Sequence, residues 1–117
     1  MLNLLRFKEI ADYSTNPERA PGSPVTGAEA FQKYIDHTLP YLARSGGEIL
    51  FLGEAGQFFI GPQAERWDLV MLIKQNSLAD FLAFASDPDY LPGLGHRTAA
   101  LEDSRLLPMI EGFNPAS

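Results

Sequence analysis

The chain has 117 residues, of which 45% are hydrophobic, with 15 acidic and 9 basic side chains. This length is typical of one globular domain, and a net charge of −6 without a basic cluster disfavours a nucleic-acid partner. Zero cysteines exclude disulfides and thiolate metal sites, and no apolar run approaches the ~18 residues that a membrane span needs.

The N-terminal residues lack the pattern of a signal peptide, so we expect a cytoplasmic protein with no membrane partner. Residues 2–8 instead predict a first strand, in which Asn3 and Arg6 interrupt a mostly apolar run. Residues 9–25 contain three prolines together with Asp, Ser, Asn and Gly, which predicts an irregular loop insertion. Long loops of this kind are often lids, dimer arms or simply disordered, and others belong to the core. If this loop is a lid or a dimer arm, we expect its deletion to leave folding largely intact.

A first helix is predicted to begin after Thr26, because Thr26 and Glu29 have the spacing of a capping box. Apolar residues then recur at three- and four-residue steps until the glycine pair at Gly46, with Pro40 as an expected kink. Residues 48–54 form a short apolar run between polar and glycine residues and predict the second strand.

The central strand is predicted over residues 66–74, a run of large apolar and β-branched side chains. Apolar groups fall on both of its faces, which is typical of a strand in the middle of a sheet. Strict alternation along this run places Trp67 on the same face as Met71. Residues 57–61 either extend the second strand or form a separate edge piece.

A second helix follows, with Ser77 as its predicted N-cap and Asp87 and Pro88 at its end. Residues 90–100 have roughly helical spacing despite Pro and Gly, so we expect a broken helical continuation. Residues 104–109 are predicted to be the last strand.

The order strand, helix, strand, strand, helix, strand is that of the ferredoxin-like α+β fold, a four-stranded antiparallel sheet with both helices on one face. We predict one domain over residues 1–110, including the 9–25 insertion, and a tail over residues 111–117. Because large apolar side chains fall on both faces of the strands, the helix-free face needs a cover, and a second copy supplies it most simply. The sequence therefore predicts a homodimer.

Three stretches carry a family resemblance: residues 1–8 (MLNLLRFK), 61–68 (GPQAERWD) and 95–106 (GHRTAALEDSRL). In these stretches, and in the turn at residues 87–90, the chain resembles the domain of unknown function 1330 family from the first strand through Met109. The resemblance implies a dimeric α/β-barrel, whereas the 9–25 insertion departs from the shorter members. The family brings no established activity, and its wider superfamily includes cofactor-free monooxygenases, haem-degrading enzymes, isomerases and binding proteins, so the fold does not select a function.

The candidate ligand-binding residues are Asn3, Arg6, Trp67, His96 and Arg97. An amide orients a substrate oxygen, an indole stacks on a flat ring, and His or Arg stabilises an anion. Asn3 and Trp67 resemble pocket residues of the cofactor-free oxygenases and haem degraders, although plain core packing and strand-edge hydrogen bonding explain them equally well. We place His96 and Arg97 at the mouth of the main pocket, with Asn3 and Trp67 lining it.

We predict that the homodimer binds a small, flat or anionic organic molecule between its sheet and its helices. No cofactor is expected, and no metal site, since the two histidines, His37 and His96, have no ligand-spaced motif. A cofactor-independent oxygenase or isomerase is the second hypothesis, and an oligomerisation module without a ligand is the third.

Overall fold

The fold is known from a computed structural model, which describes residues 1–113 and residue 115. Its strands and helices are β1 (Leu2–Phe7), α1 (Gly27–Arg44), β2 (Glu48–Glu54), β3 (Leu69–Lys74), α2 (Leu78–Ala85), α3 (Leu94–Ala100) and β4 (Leu101–Leu107), with 3₁₀ turns at Pro17–Arg19 and Leu91–Gly93. The strands form one antiparallel sheet in the order β2-β3-β1-β4. This arrangement confirms the predicted ferredoxin-like α+β fold.

One face of the sheet packs against the helices and forms the core. Leu5 on β1 is completely buried and lies opposite Leu69 on β3, and Met71 follows on the same face. From α1, Phe31 and Ile35 fill the space between helix and sheet. Alternation then directs the remaining side chains of β1 and β3 to the helix-free face.

The predicted helix caps are confirmed. The Thr26 hydroxyl accepts a hydrogen bond from the Glu29 amide at 3.1 Å, and the Glu29 carboxylate accepts one from the Thr26 amide at 3.3 Å. The Ser77 hydroxyl accepts from the Asp80 amide at 3.0 Å and so caps α2. Helix α1 continues through Pro40 to Arg44, so the proline does not end it.

The boundaries of two strands differ from the prediction. β4 begins at Leu101 rather than at residue 104, because α3 passes into it without an intervening loop. β3 begins at Leu69 rather than at residue 66, because the Asp68 carboxylate, in place of a backbone carbonyl, accepts a hydrogen bond from the Phe7 amide at 2.8 Å. The regular alternation therefore stops at this aspartate.

Trp67 consequently lies on the helix-free face, and its predicted place on the face of Met71 was wrong. The guanidinium carbons of Arg6 and Arg105 lie 5.8 and 5.2 Å from the centroid of the indole ring. Arg6 lies on β1 and Arg105 on β4, and the register of these two strands places both side chains on the helix-free face. The two cations cover the indole, which is only 2% exposed.

Residues 9–25 form an irregular loop that packs onto the domain. Within this fully described segment the regular structure is the 3₁₀ turn Pro17–Arg19 and an isolated bridge near its ends. The Asp12 amide donates to the Ala99 carbonyl at 2.9 Å, and the Ala11 amide donates to the Val25 carbonyl at 2.9 Å. The Tyr13 side chain is buried in the core. The loop therefore packs on the core through Tyr13, and the effect of its deletion on folding stays a prediction.

None of the helices in the described part of the chain is long and apolar enough to cross a membrane. The cytoplasmic location stays a prediction, as does the division into a domain of residues 1–110 and a tail of residues 111–117. Residues 114, 116 and 117 of that tail lie outside the described residues.

Gly27 lies where the start of α1 meets the ends of β1 and α3. Its amide donates to the Lys8 carbonyl at 3.1 Å, and a Cβ would overlap that oxygen and lie 2.8 Å from the Ala100 carbonyl oxygen. We expect Gly27→Ala to lower the free energy of unfolding by about 1–3 kcal/mol in urea titrations, since backbone must move. Gly22→Ala is the matched control, because no atom lies within 4 Å of its Cβ position. Equal unfolding midpoints for the two variants would contradict the prediction.

Candidate functional site

A cavity of about 300 Å³ lies between the helices and the sheet. Its walls are mostly apolar and come from all three helices and all four strands, together with Tyr90 in the segment between α2 and α3. The apolar lining residues include Ile35, Leu42, Ile49, Met71, Ile73, Phe81, Phe84 and Leu94. A mostly apolar cavity with a few polar groups is the usual form of a small-molecule site.

Two tyrosine hydroxyls meet at one end of this cavity. The Tyr34 and Tyr90 oxygens are 2.7 Å apart, and both side chains are buried. Burial raises the pKa of Tyr90, the neighbouring Tyr34 raises it further, and the charge of Arg97 acts in the opposite direction. Because one hydroxyl of such a pair donates to the other, the second keeps its proton free for another acceptor.

Arg97 brings a positive charge to the same end. This half-buried side chain comes from α3 and lines the cavity. Among residues 1–113 and 115, no carboxylate forms an ion pair with it, whereas Arg6, Arg44 and Arg105 each pair with at least one aspartate or glutamate. The guanidinium is therefore available to an anion that enters the cavity.

Two further polar atoms line the cavity without a protein partner. The Thr38 hydroxyl and the Gln75 side-chain oxygen are buried, and neither has a hydrogen-bond partner among the residues that the structure describes. The Thr38 side chain is 8% exposed. Buried polar groups in proteins are nearly always hydrogen-bonded, so these two atoms mark a place where a ligand can bind.

Of the predicted site residues, Asn3 and Arg97 line the cavity, and His96 does not. The His96 Nδ1 atom lies 2.8 Å from the Tyr13 hydroxyl, which belongs to the loop of residues 9–25. Burial lowers the pKa of His96, and the neighbouring positive charges of Lys33 and Arg19 act in the same direction. His96 thus contacts the loop while its neighbour Arg97 faces the cavity.

Arg6 and Trp67 are also absent from the cavity lining. Arg6 forms ion pairs with Glu102 at 3.4 Å and Asp103 at 3.7 Å, on the opposite face of the sheet. β1 and β3 are neighbours as predicted, but the partner of Asn3 is Met71, four residues beyond Trp67 and ~13 Å away along the strand. Arg6, Trp67 and His96 do not line this cavity, and their role in ligand binding stays a prediction.

The sequence prediction missed Tyr34, Tyr90, Thr38 and Gln75 as site residues. A signal existed for two of them, since Tyr34 and Thr38 are one helical turn apart on the apolar face of α1, where a hydroxyl needs a partner. No local pattern marks Gln75. Within the described residues no group of three or more His, Asp or Glu side chains is arranged to hold a metal ion.

The chain is similar to known proteins in both sequence and fold. The model of the family "Domain of unknown function (DUF1330)" matches residues 23–113, a range that leaves out residues 1–8, one of the three stretches of the resemblance. A crystal structure of methylated RPA0582 protein is 36% identical, with 99% of this chain and 81% of that chain covered and a TM-score of 0.82. A second RPA0582 structure, described as a protein of unknown function from Rhodopseudomonas palustris, is also 36% identical, with 94% and 81% covered and a TM-score of 0.77. No curated protein matches the chain.

Proposed function

The chain belongs to the DUF1330 family, and we propose that it binds a small, mostly apolar organic acid in the cavity between its sheet and its helices. The observation that carries the proposal is Arg97, a guanidinium that lines an apolar cavity without an ion-pair partner among the described residues. Charges in apolar surroundings are costly unless they are paired. A carboxylate on the ligand supplies the missing partner.

The groups around Arg97 favour an anion over a cation. The free proton of the Tyr34 and Tyr90 pair is a second donor at the same end, and Asn3 adds an amide to the lining. An arginine fork and a tyrosine hydroxyl together suit the planar oxygens of a carboxylate. The aromatic side chains of Phe81 and Phe84 supply flat apolar surface for the rest of the molecule.

We do not propose the oxygenase or isomerase that was the second hypothesis from the sequence. It required His96 and Trp67 to act with Arg97 and Asn3, and the structure places these groups in three separate surroundings. No observation in the described residues favours a particular reaction.

We propose in addition that the chain forms a homodimer through its helix-free sheet face. An unbroken row of apolar side chains crosses all four strands of that face, since the register pairs Phe51 with Leu72, Leu72 with Leu2, and Leu2 with Leu107. We call these four residues the apolar row. Phe51 is 57% and Leu107 54% exposed in the single chain. A second copy on this face covers the row, while the cavity lies on the other face of the sheet, between the sheet and the helices.

The test of the ligand proposal compares three aromatic acids, benzoate, phenylacetate and cinnamate, with their neutral primary amides, measured by isothermal titration calorimetry. We expect at least one acid to bind more tightly than its amide. Arg97→Leu is expected to weaken acid binding by about 1.5–3 kcal/mol, roughly 10- to 150-fold, because a charge-assisted hydrogen bond is lost. Binding of the amide is expected to change much less.

Arg66→Leu is the matched control for Arg97→Leu. Arg66 is exposed, precedes β3 and does not line the cavity, so the same substitution there removes one charge without touching the site. We expect it to leave acid binding within a factor of two of the unsubstituted protein. Equal effects of the two substitutions, or an absence of binding by all three acids, would refute the proposal.

A further inference from the structure

We infer that the ligand carries a hydroxyl group away from its acid group, held by Thr38 and Gln75, and is therefore a phenolic acid or a similarly elongated hydroxy acid. This inference rests on the proposed function, because it takes the acid group to lie at Arg97. The hydroxyl is then the second polar end of the same ligand.

The positions along α1 set the order of the polar groups. Tyr34, Thr38 and Leu42 each line the cavity and follow one another at four-residue steps, so each is ~6 Å further along the helix axis. Tyr34 marks the end that carries Arg97. Gln75 lies at the other end, near Leu42. A Cβ atom built on Gly47 would be 3.0 Å from the Gln75 side-chain amide atoms and 2.5 Å from Leu42 Cδ1, so Gln75 and Leu42 flank the same point.

The hydrogen-bonding chemistry of the two unpartnered atoms, Thr38 Oγ1 and the Gln75 side-chain oxygen, favours a hydroxyl on the ligand. The Gln75 oxygen only accepts hydrogen bonds, whereas the Thr38 hydroxyl both donates and accepts. A ligand hydroxyl has one proton to donate and lone pairs to accept with, so its chemistry suits both groups. A methyl group of the same size satisfies neither and leaves both atoms buried and unpaired.

A first experiment needs no ligand. Thr38→Val replaces an unpartnered buried hydroxyl by a methyl group of the same shape, so we expect the thermal unfolding midpoint of the unliganded protein to stay the same or rise. Ser77→Ala is the control, because its hydroxyl accepts from the Asp80 amide at 3.0 Å, and we expect that midpoint to fall. A fall for Thr38→Val as large as that for Ser77→Ala would overturn the inference.

A second experiment uses matched acids that differ only at the ring position opposite the acid group. We compare 4-hydroxyphenylacetate with 4-methylphenylacetate, and 4-hydroxycinnamate with 4-methylcinnamate, by calorimetry. In the unsubstituted protein the better-fitting hydroxy acid is expected to bind about 5- to 150-fold more tightly than its methyl analogue, which is the value of two hydrogen bonds. In Thr38→Val that preference is expected to fall to about 2- to 12-fold, the value of the one hydrogen bond to Gln75 that remains.

The outcomes separate the inference from the proposed function. If hydroxy and methyl acids bind equally well and both still depend on Arg97, the inference fails and the acid site stands. If no acid binds, both fail. If Gln75→Leu abolishes the preference while Thr38→Val keeps it, Thr38 has no part in holding the hydroxyl and the inference is overturned as stated.

Discussion

Replacing Phe31 with alanine is expected to lower the free energy of unfolding by about 3–5 kcal/mol, the range for removing a fully buried aromatic ring. Phe31 is 1% exposed and lies at the centre of the core, with its ring centroid 5.5 Å from that of Phe7 and 5.3 Å from that of Tyr34. The substitution removes apolar burial and leaves a void that close-packed neighbours fill only in part. The measurement is a urea titration at one fixed protein concentration, since a dimer makes stability depend on concentration.

Phe59→Ala is the matched control for this prediction. It is the same substitution, but Phe59 is fully exposed in the loop between β2 and β3 of the single chain. We expect it to change the free energy of unfolding by less than about 0.5 kcal/mol. A change for Phe31→Ala no larger than that for Phe59→Ala would show that the core is not centred on α1 as described.

The fold was predictable because its signals are local. The capping box at Thr26 and the N-cap at Ser77 fix where two helices begin, and apolar spacing marks the faces that they bury. The start of β3 was not predictable in this way, because it depends on a hydrogen bond between Asp68 and Phe7, 61 positions apart. A short-range pattern contains no information about such a pair.

The site was predictable only in part, for a geometric reason. Asn3 and Arg97 were predicted and line the cavity, whereas His96 was predicted with Arg97 and faces the loop of residues 9–25. Both residues lie on α3, where neighbours point about 100° apart, so one of them faces the cavity and the other does not. We had expected a broken helical continuation over residues 90–100 and had placed both side chains at the mouth of the pocket, without fixing which of them would face it.

The apolar row on the helix-free face is the feature of the fold that supports the proposed dimer. Phe51 belongs to edge strand β2 and Leu107 to the opposite edge strand β4, with Leu72 and Leu2 between them. A row that spans the whole width of the sheet is more than the scattered apolar residues that any surface carries. In the proposed dimer the row is the centre of the interface, and obligate interfaces bury on the order of 2,000 Å² or more in total.

The double substitution Phe51→Asp with Leu107→Asp is therefore expected to convert the proposed dimer into a monomer. Each change replaces a large apolar contact by a charge that the interface buries, and symmetry repeats it in the partner, so we expect a loss of about 4 kcal/mol or more, roughly a 1,000-fold rise in the dissociation constant. Sedimentation velocity at micromolar concentration measures the change, and circular dichroism checks that the variant folds. Leu78→Asp is the control, because Leu78 is 68% exposed on the helix side and its charge leaves the sheet face intact. An unsubstituted protein that sediments as a folded monomer, or a double variant that still sediments as a dimer, would contradict an interface at the apolar row.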